Sequence, residues 1–236
     1  MKIKYFICLA VICLSSKLWA QSPVNISTAN GGKLWASLWQ QRAAEYKALC
    51  FQAYNIARMR IDEALKHKGG KPLAVITDID ETLLDNSPQD AVRAINNEEF
   101  DSGAWKRWTA KGIADTVPGA AAFFKYAASK GVTVFYISNR DADEREGTLK
   151  NLHLFSLPNA DDAHLLLKQP GASSSKESRR RQVLVKYNVV LLCGDNLADF
   201  DALYDNHPDE GKRDNVTRRL NARFGKRFII LPNPSY

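Results

Sequence analysis

A three-layer α/β fold, in which helices cover both faces of a parallel sheet, is predicted by three features of the sequence. Five short segments are nearly continuous in branched and aliphatic residues, helix-length segments stand between most of them, and polar residues collect where the apolar runs end. Strands that are apolar along their whole length belong to sheets buried on both faces, and alternation with helices marks the parallel class. In such sheets ligands bind beyond the carboxyl ends of the strands.

Along the chain, residues 1–20 stand apart. Lys2 and Lys4 precede the apolar run 5–14, and Leu18-Trp19-Ala20 ends on a small residue before Gln21. That is the pattern of a cleaved secretory signal. The run falls short of the ~20 apolar residues a spanning helix needs, and Lys17 follows it, so no stable membrane anchor is expected. Ile7 and Ile12 stand before Cys8 and Cys13, where a lipid-attachment motif would have a small residue. The expected product is exported, periplasmic or secreted, with residues 21–236 forming one domain. Removing Lys2, Lys4 and Lys17, with no acid, lowers the net charge from +7 to +4. Such a mildly basic balance suits anionic small substrates and is too weak to argue nucleic-acid binding. Export permits a disulfide between Cys50 and Cys193, but Cys193 lies in the apolar run NVVLLC and Cys50 in a helical pattern, so two buried thiols fit at least as well.

After a polar lead over 21–32, apolar residues recur at helical spacing over about 34–67, including Leu38, Leu49, Ala53, Ile56 and Ile61, until HKGGKP stops the pattern. This predicts one long amphipathic N-terminal helix. The predicted strands are LAVITD (73–78), VTVFYIS (132–138), HLLLK (164–168), NVVLLCGD (188–195) and RFIILP (227–232). Helices are expected over 119–130, 142–152, 176–187 and 214–224. The segment of about 88–117 is longer than a plain connection and carries Phe100, Trp105 and Trp108, so it is expected to form a small inserted cap over the strand ends.

The first strand ends in ITDIDETLLDNS, which sets Asp78, Asp80, Glu81 and Asp85 in quick succession. Two carboxylates ~4 Å apart oppose each other by about 4 kcal/mol at an effective dielectric near 20, so something must compensate. Alone, such a cluster is also compatible with turns and helix caps. A second acid cluster, CGDNLADF, ends another apolar strand and supplies Asp195 and Asp199. If the two strands are neighbours, four carboxylates converge on one crevice, a hard oxygen site that suits Mg²⁺. Ser138 closes VTVFYISNR, and its hydroxyl, with Asn139 and the following N–H groups at a helix start, makes an anion site. Ser138 is equally compatible with capping that helix. In SSSKESRRR, Lys176 can reach a bound phosphate, although the run also reads as a solvated basic stretch. The histidines, His67, His153, His164 and His207, have no metal-ligand spacing.

The order acid pair, strand-end serine, lysine, acid pair resembles the haloacid dehalogenase (HAD) superfamily, and more closely its class C acid phosphatases, the group that includes the bacterial outer-membrane lipoprotein 5′-nucleotidase. The resemblance rests on WQQRAAEYKALCFQAYNIA, ITDIDETLLDNSPQ, WKRWT, VPGAAAFFKYAASKGVTVFYISNR, SSKESRR, GDNLADF and FGKRFIILPNPSY, and covers nearly all of the chain after residue 20. It implies a Rossmann-like HAD sheet and a Mg²⁺-dependent phosphomonoesterase acting on nucleoside 5′-monophosphates and related mononucleotides. Asp78 would be the nucleophile and Asp80 the acid and base. Ser138, Asn139 and Lys176 would hold the phosphoryl group. The metal would take Asp78, the Asp80 backbone carbonyl and Asp195, with Asp199 in support. Trp105 and Tyr236 match positions where the family stacks aromatic rings on a base, although Trp105 and Trp108, three residues apart, also read as packing residues. Relatives usually run several residues past the position of Tyr236.

Three other readings compete. A broad-specificity phosphatase would lack base recognition, and a non-catalytic binding or storage protein would be marked by loss of the nucleophile, yet Asp78 is present. A polyanion-binding protein would use Arg179 to Arg181. The expected partner is a small phosphomonoester, with no nucleic acid; a homodimer is compatible with the resemblance.

Overall fold

In the computed structural model, which describes residues 27–67, 69–205 and 209–235, the chain opens with two helices. α1 (Thr28–Arg42) begins at Ser27, whose side chain accepts the Asn30 N–H, and α2 (Ala44–Leu65) follows after a single extended residue, Ala43. The predicted single helix is thus broken, and it starts inside the segment read as a polar lead. The break lets α1 lean on the cap while α2 lies along the sheet and its covering helix. Trp39 and Tyr46 meet edge to face across it at 5.2 Å. Residues 1–20, read as an export signal, lie outside the described residues.

β1 (Leu73–Thr77) is buried along its whole length. The chain then turns through β2 (Leu84–Asp85) into the cap, made of α3 (Ser87–Ile95) and α4 (Ser102–Thr109), and returns through β3 (Asp115–Thr116), which pairs antiparallel with β2. The insert is therefore pinched at its base by a two-stranded ladder. The remainder alternates as predicted: α5 (Ala120–Ser129), β4 (Thr133–Asp141), α6 (Arg145–Leu154), β5 (Leu165–Lys168), α7 (Glu177–Lys186), β6 (Asn188–Gly194), α8 (Glu210–Leu220) and β7 (Phe228–Ile230). The last helix starts four residues earlier than its pattern suggested, because Asp209 caps it by accepting the N–H groups of Gly211 and Lys212.

The five main strands form one sheet in the order β5-β4-β1-β6-β7, with every neighbouring pair parallel. Alternate residues feed two cores. Val75, Val134, Tyr136, Leu191 and Ile229 pack with Cys50, Tyr54, Ile61, Phe123 and Phe124 of α2 and α5. Ala74, Ile76, Phe135, Ile137 and Leu192 pack on the other face with Val183, Phe200 and Leu220. These are the expected three layers. Cys50 and Cys193 are buried free thiols, so the disulfide alternative is closed. Among the described residues no helix is long and apolar enough to cross a membrane.

Candidate active site

Register brings the two acid clusters together. β1 and β6 are neighbours with Thr77 opposite Cys193, and the Asp78 N–H donates to the Cys193 carbonyl at 2.9 Å. Asp78 and Asp195 therefore leave adjacent strands at the same end of the sheet. Just beyond, Glu81 adopts a left-handed conformation (φ 56°), an unfavourable choice for a residue with a side chain, worth of order 1–3 kcal/mol. That turn separates the four acids of the motif. Glu81 accepts the Asn86 N–H and Asp85 accepts the Ser87 N–H, both at 2.9 Å, so these two serve the turn and the start of α3. Asp78 and Asp80 face a cavity of about 420 Å³ with Trp105, Ser138, Asn139, Arg140, Lys176 and Asp199 on its walls.

Lys176, at the start of α7, reaches Asp78 at 2.5 Å and Asp199 at 2.6 Å. Carboxylate oxygens of Asp78, Asp195 and Asp199 lie within 4.8 Å of one another. Asp195 accepts from Thr82 Oγ1 at 2.9 Å and from Asn233 Nδ2 at 2.8 Å. Asp199 accepts the Asn196 N–H at 3.0 Å and is pressed on the backbone of Gly194, where an added Cβ would stand 2.4 Å from its Oδ2. A glycine is required there because the acid and the strand end approach closely.

Three carboxylates, two buried and the third, Asp78, largely so, thus gather around one ammonium, and their titration reflects it. Burial pushes the Asp78 carboxyl well above its ordinary range; Asp199, Asp195 and Asp80 add to the push and Lys176 opposes it. Burial, reinforced by Asp199, pushes Asp195 up to about 6, against the Asn233 and Thr82 hydrogen bonds. Burial disfavours charge on Lys176, but Asp199 and Asp78 outweigh it and hold its pKa above the usual value. Lys176 stays cationic while the acids resist ionising together. An all-oxygen donor set with excess negative charge fits a hard divalent cation.

Ser138, 1% exposed, is not the cap of the following helix. A 3-10 turn over Ala142–Glu144 stands between it and α6, entered at Asp141, whose N–H donates to Glu144 Oε2 at 2.7 Å. Ser138 Oγ instead accepts the Arg140 N–H at 3.0 Å, which leaves its hydroxyl proton free to donate. Asn139 Oδ1 accepts from Arg179 at 2.6 Å, which leaves its amino group for the cavity side. The run Arg179 to Arg181 is not a solvated patch. Arg179 also donates to the Ser138 carbonyl and Arg180 to the carbonyls of Ala198 and Asp199; both are buried, and Arg181 alone of the three has an exposed side chain. The tryptophans divide: Trp105 lines the cavity, 5.8 Å from the Arg140 guanidinium, while Trp108 packs against the larger core. Tyr236 lies outside the described residues.

Sequence reasoning missed Arg140, Asn86, Thr82, Asn233 and Arg179 as members of the site. Arg140, 3% exposed, makes a forked ion pair with Asp80, with Nη2 2.6 Å from Oδ1 and Nε 3.0 Å from Oδ2. Each stands inside or beside a quoted motif, but nothing in a linear pattern distinguishes these partners from ordinary polar neighbours.

Residues 9–236 match the family model described as HAD superfamily, subfamily IIIB (Acid phosphatase). The crystal structure of the class C acid phosphatase from Bacillus anthracis with tungstate bound superposes with a TM-score of 0.84 at 38% identity, covering 89% of this chain and 86% of that one. Among curated sequences, the stem 31 kDa glycoprotein of Glycine max is 28% identical over 164 residues, and acid phosphatase 1 of Solanum lycopersicum is 25% identical over 171. These matches cover 67% and 68% of this chain and 57% of each relative, so the chain spans little more than half the length of these curated relatives.

Proposed function

The chain belongs to HAD subfamily IIIB, the acid phosphatases, and from that membership and the geometry of the site we propose that it hydrolyses phosphomonoesters through a covalent intermediate on Asp78. The observation that carries the reading is a buried carboxylate at the end of the central strand, 2.5 Å from a buried lysine and beside two further acids.

In this mechanism Asp78 attacks phosphorus, the bond from phosphorus to the ester oxygen breaks, and Asp80 delivers a proton to the departing alcohol. Asp80 then takes a proton from water, which attacks the aspartyl phosphate and releases inorganic phosphate with Asp78 restored. Lys176 exchanges its contact with Asp78 for one with a phosphoryl oxygen, and Ser138 Oγ and the Asn139 amino group donate to the others. A divalent cation, which we take to be Mg²⁺, held by Asp78, the Asp80 backbone carbonyl and Asp195 with Asp199 in support, would neutralise phosphoryl charge when bound. Binding of tungstate, a tetrahedral oxyanion, by the Bacillus anthracis relative supports an anion pocket here.

The substrate class is nucleoside 5′-monophosphates and related mononucleotides, with Trp105 offering a stacking face worth about 1–3 kcal/mol per base and Tyr236 as its candidate counterpart. Export directed by residues 1–20 belongs to the same proposal. The deciding experiment follows phosphate release from AMP, nicotinamide mononucleotide and p-nitrophenyl phosphate near pH 5 to 6, with Mg²⁺ or EDTA, for wild type and Asp78→Asn. Turnover that needs both metal and Asp78 is expected, with at least a ~10³-fold loss in the variant. Equal efficiency on all three substrates would replace the nucleotide preference with broad specificity. Folded wild-type protein without turnover would overturn the enzyme reading.

A further inference from the structure

Asp80 is held from two directions. Arg140, on β4, engages both of its oxygens, with Nη2 2.6 Å from Oδ1 and Nε 3.0 Å from Oδ2 and 3.2 Å from Oδ1. Asn86 comes from the entrance to the cap, its Nδ2 donating to Oδ1 at 2.8 Å. Oδ1 therefore carries two good donors, while Oδ2 carries only the Nε that it shares. That asymmetry leaves Oδ2 with the freer lone pair and makes Oδ1 the anchored oxygen.

Asn86 is 1% exposed and takes no part in the cavity wall. A carboxamide can present either its oxygen or its amino group to a neighbour, and only the amino group suits a carboxylate. Trp108 makes the choice. Its indole Nε1–H, a donor that cannot accept, lies 2.8 Å from Asn86 Oδ1 and claims the carbonyl end. The Asn86 backbone N–H is tied in turn to Glu81. Helix α4 of the cap thus shows Trp105 to the substrate cavity and, one turn later, uses Trp108 to orient the amide that anchors Asp80.

We propose that Asn86, oriented by Trp108, is a positioning residue for proton transfer by Asp80, anchoring Oδ1 so that Oδ2 meets the leaving-group oxygen. This rests on the reading of Asp80 as the group that protonates the departing alcohol. A misdirected Asp80 matters most when the leaving group cannot depart unprotonated. Alkyl alcohols need the proton, whereas p-nitrophenol leaves readily as the phenolate, so the choice of substrate isolates the step.

The test measures kcat and KM for glycerol phosphate and p-nitrophenyl phosphate with wild type, Asn86→Asp, Trp108→Phe and Asp80→Asn. Asn86→Asp keeps the shape and still accepts from Trp108, but turns a like charge on Asp80. It is expected to lower kcat/KM, which covers only the steps through transfer of the phosphoryl group to Asp78 and not the shared attack of water, at least ~10-fold more for glycerol phosphate than for p-nitrophenyl phosphate. Trp108→Phe keeps an aromatic ring but loses the donor together with part of the indole's bulk; the selective loss, expected at about threefold, reports the donor, because a packing loss alone would lower both substrates alike. Equal losses of kcat/KM on both substrates, or none, would overturn the proposal, whereas a fall in kcat common to both reports the shared attack of water on the aspartyl phosphate. If Asn86→Asp does not fold, as judged by near-ultraviolet circular dichroism, Trp108→Phe decides alone. Asp80→Asn separates this inference from its premise. Selective loss there but not in the other two removes the positioning role only; no selectivity in Asp80→Asn removes the acid role itself.

Discussion

Among the described residues, two groups of three acids each bring carboxylate oxygens within 4.8 Å of one another, and they differ sharply in character. Asp78, Asp195 and Asp199 are largely buried, and Asp78 and Asp199 share Lys176. Asp141, Asp143 and Glu144 sit at the end of β4, where Lys106 of the cap reaches Asp141 at 3.0 Å and Asp143 at 2.8 Å, and Lys168 reaches Asp141 at 2.9 Å. The side-chain hydrogen bonds from Lys168 and Lys106 hold Asp141 below its ordinary range, whereas burial pushes Asp78 and Asp195 above theirs. Glu144 is occupied by Thr109 and by the Asp141 N–H. Counting acids does not find a cation site. The balance of local charge does, because a cluster already paired with Lys106 and Lys168 has no need of a metal.

The largest expected effect breaks the buried group. Lys176→Met leaves Asp78 and Asp199 without their cation and would remove the phosphoryl contact proposed for Lys176, so kcat should fall ~10²–10³-fold. Stability of the metal-free protein should drop by about 3–5 kcal/mol in urea melts. Unchanged turnover would mean that Lys176 does not meet the phosphoryl group.

A second, intermediate effect is a pH-dependent response to cation. In the metal-free fold Asp195 is pushed up to about 6, above the ~3.9 of an unfolded chain. A raised folded-state pKa contributes stability that is complete below about pH 4 and is lost as pH rises through about 6. The melting temperature in EDTA should therefore decline across that window. The increment produced by saturating Mg²⁺ or Mn²⁺ should grow over the same range, as the ligands shed their protons. Differential scanning fluorimetry between pH 4.5 and 7 measures it, and an increment that stays flat with pH would count against Asp195 as a ligand. The smallest effect sharpens the contrast from the other side: Asp143→Asn, in the compensated cluster, should leave both the cation increment and kcat within about twofold of wild type.

Much of this was legible in the linear sequence. The five strands were found because a sheet buried on both faces demands unbroken apolar runs, and Asp78, Asp80, Ser138, Lys176, Asp195 and Asp199 stood out because they end those runs or open the helices between them. What escaped were relations between residues far apart. The break at Ala43 has no sequence mark, since alanine favours helix, and follows from α1 and α2 packing against different partners. Arg179 and Arg180 read as a basic run, yet they close backbone carbonyls beneath the site. Trp105 and Trp108 look equivalent until the helix is placed and one faces the cavity while the other is committed to Asn86.

The sequence by itself determined the layered α/β class, the end of the sheet where the candidate site lies and the acids gathered there, because periodicity and abrupt polarity are local properties of a chain. Tertiary structure decided which acids remain undercompensated and which are neutralised, how Arg140 and Asn86 divide the oxygens of Asp80, and that Asp195 meets Asp78. Those outcomes depend on strand register and on distances of a few ångströms between residues as much as 121 positions apart, Asp78 and Asp199, and charge and hydrogen bonding act through space rather than along the chain.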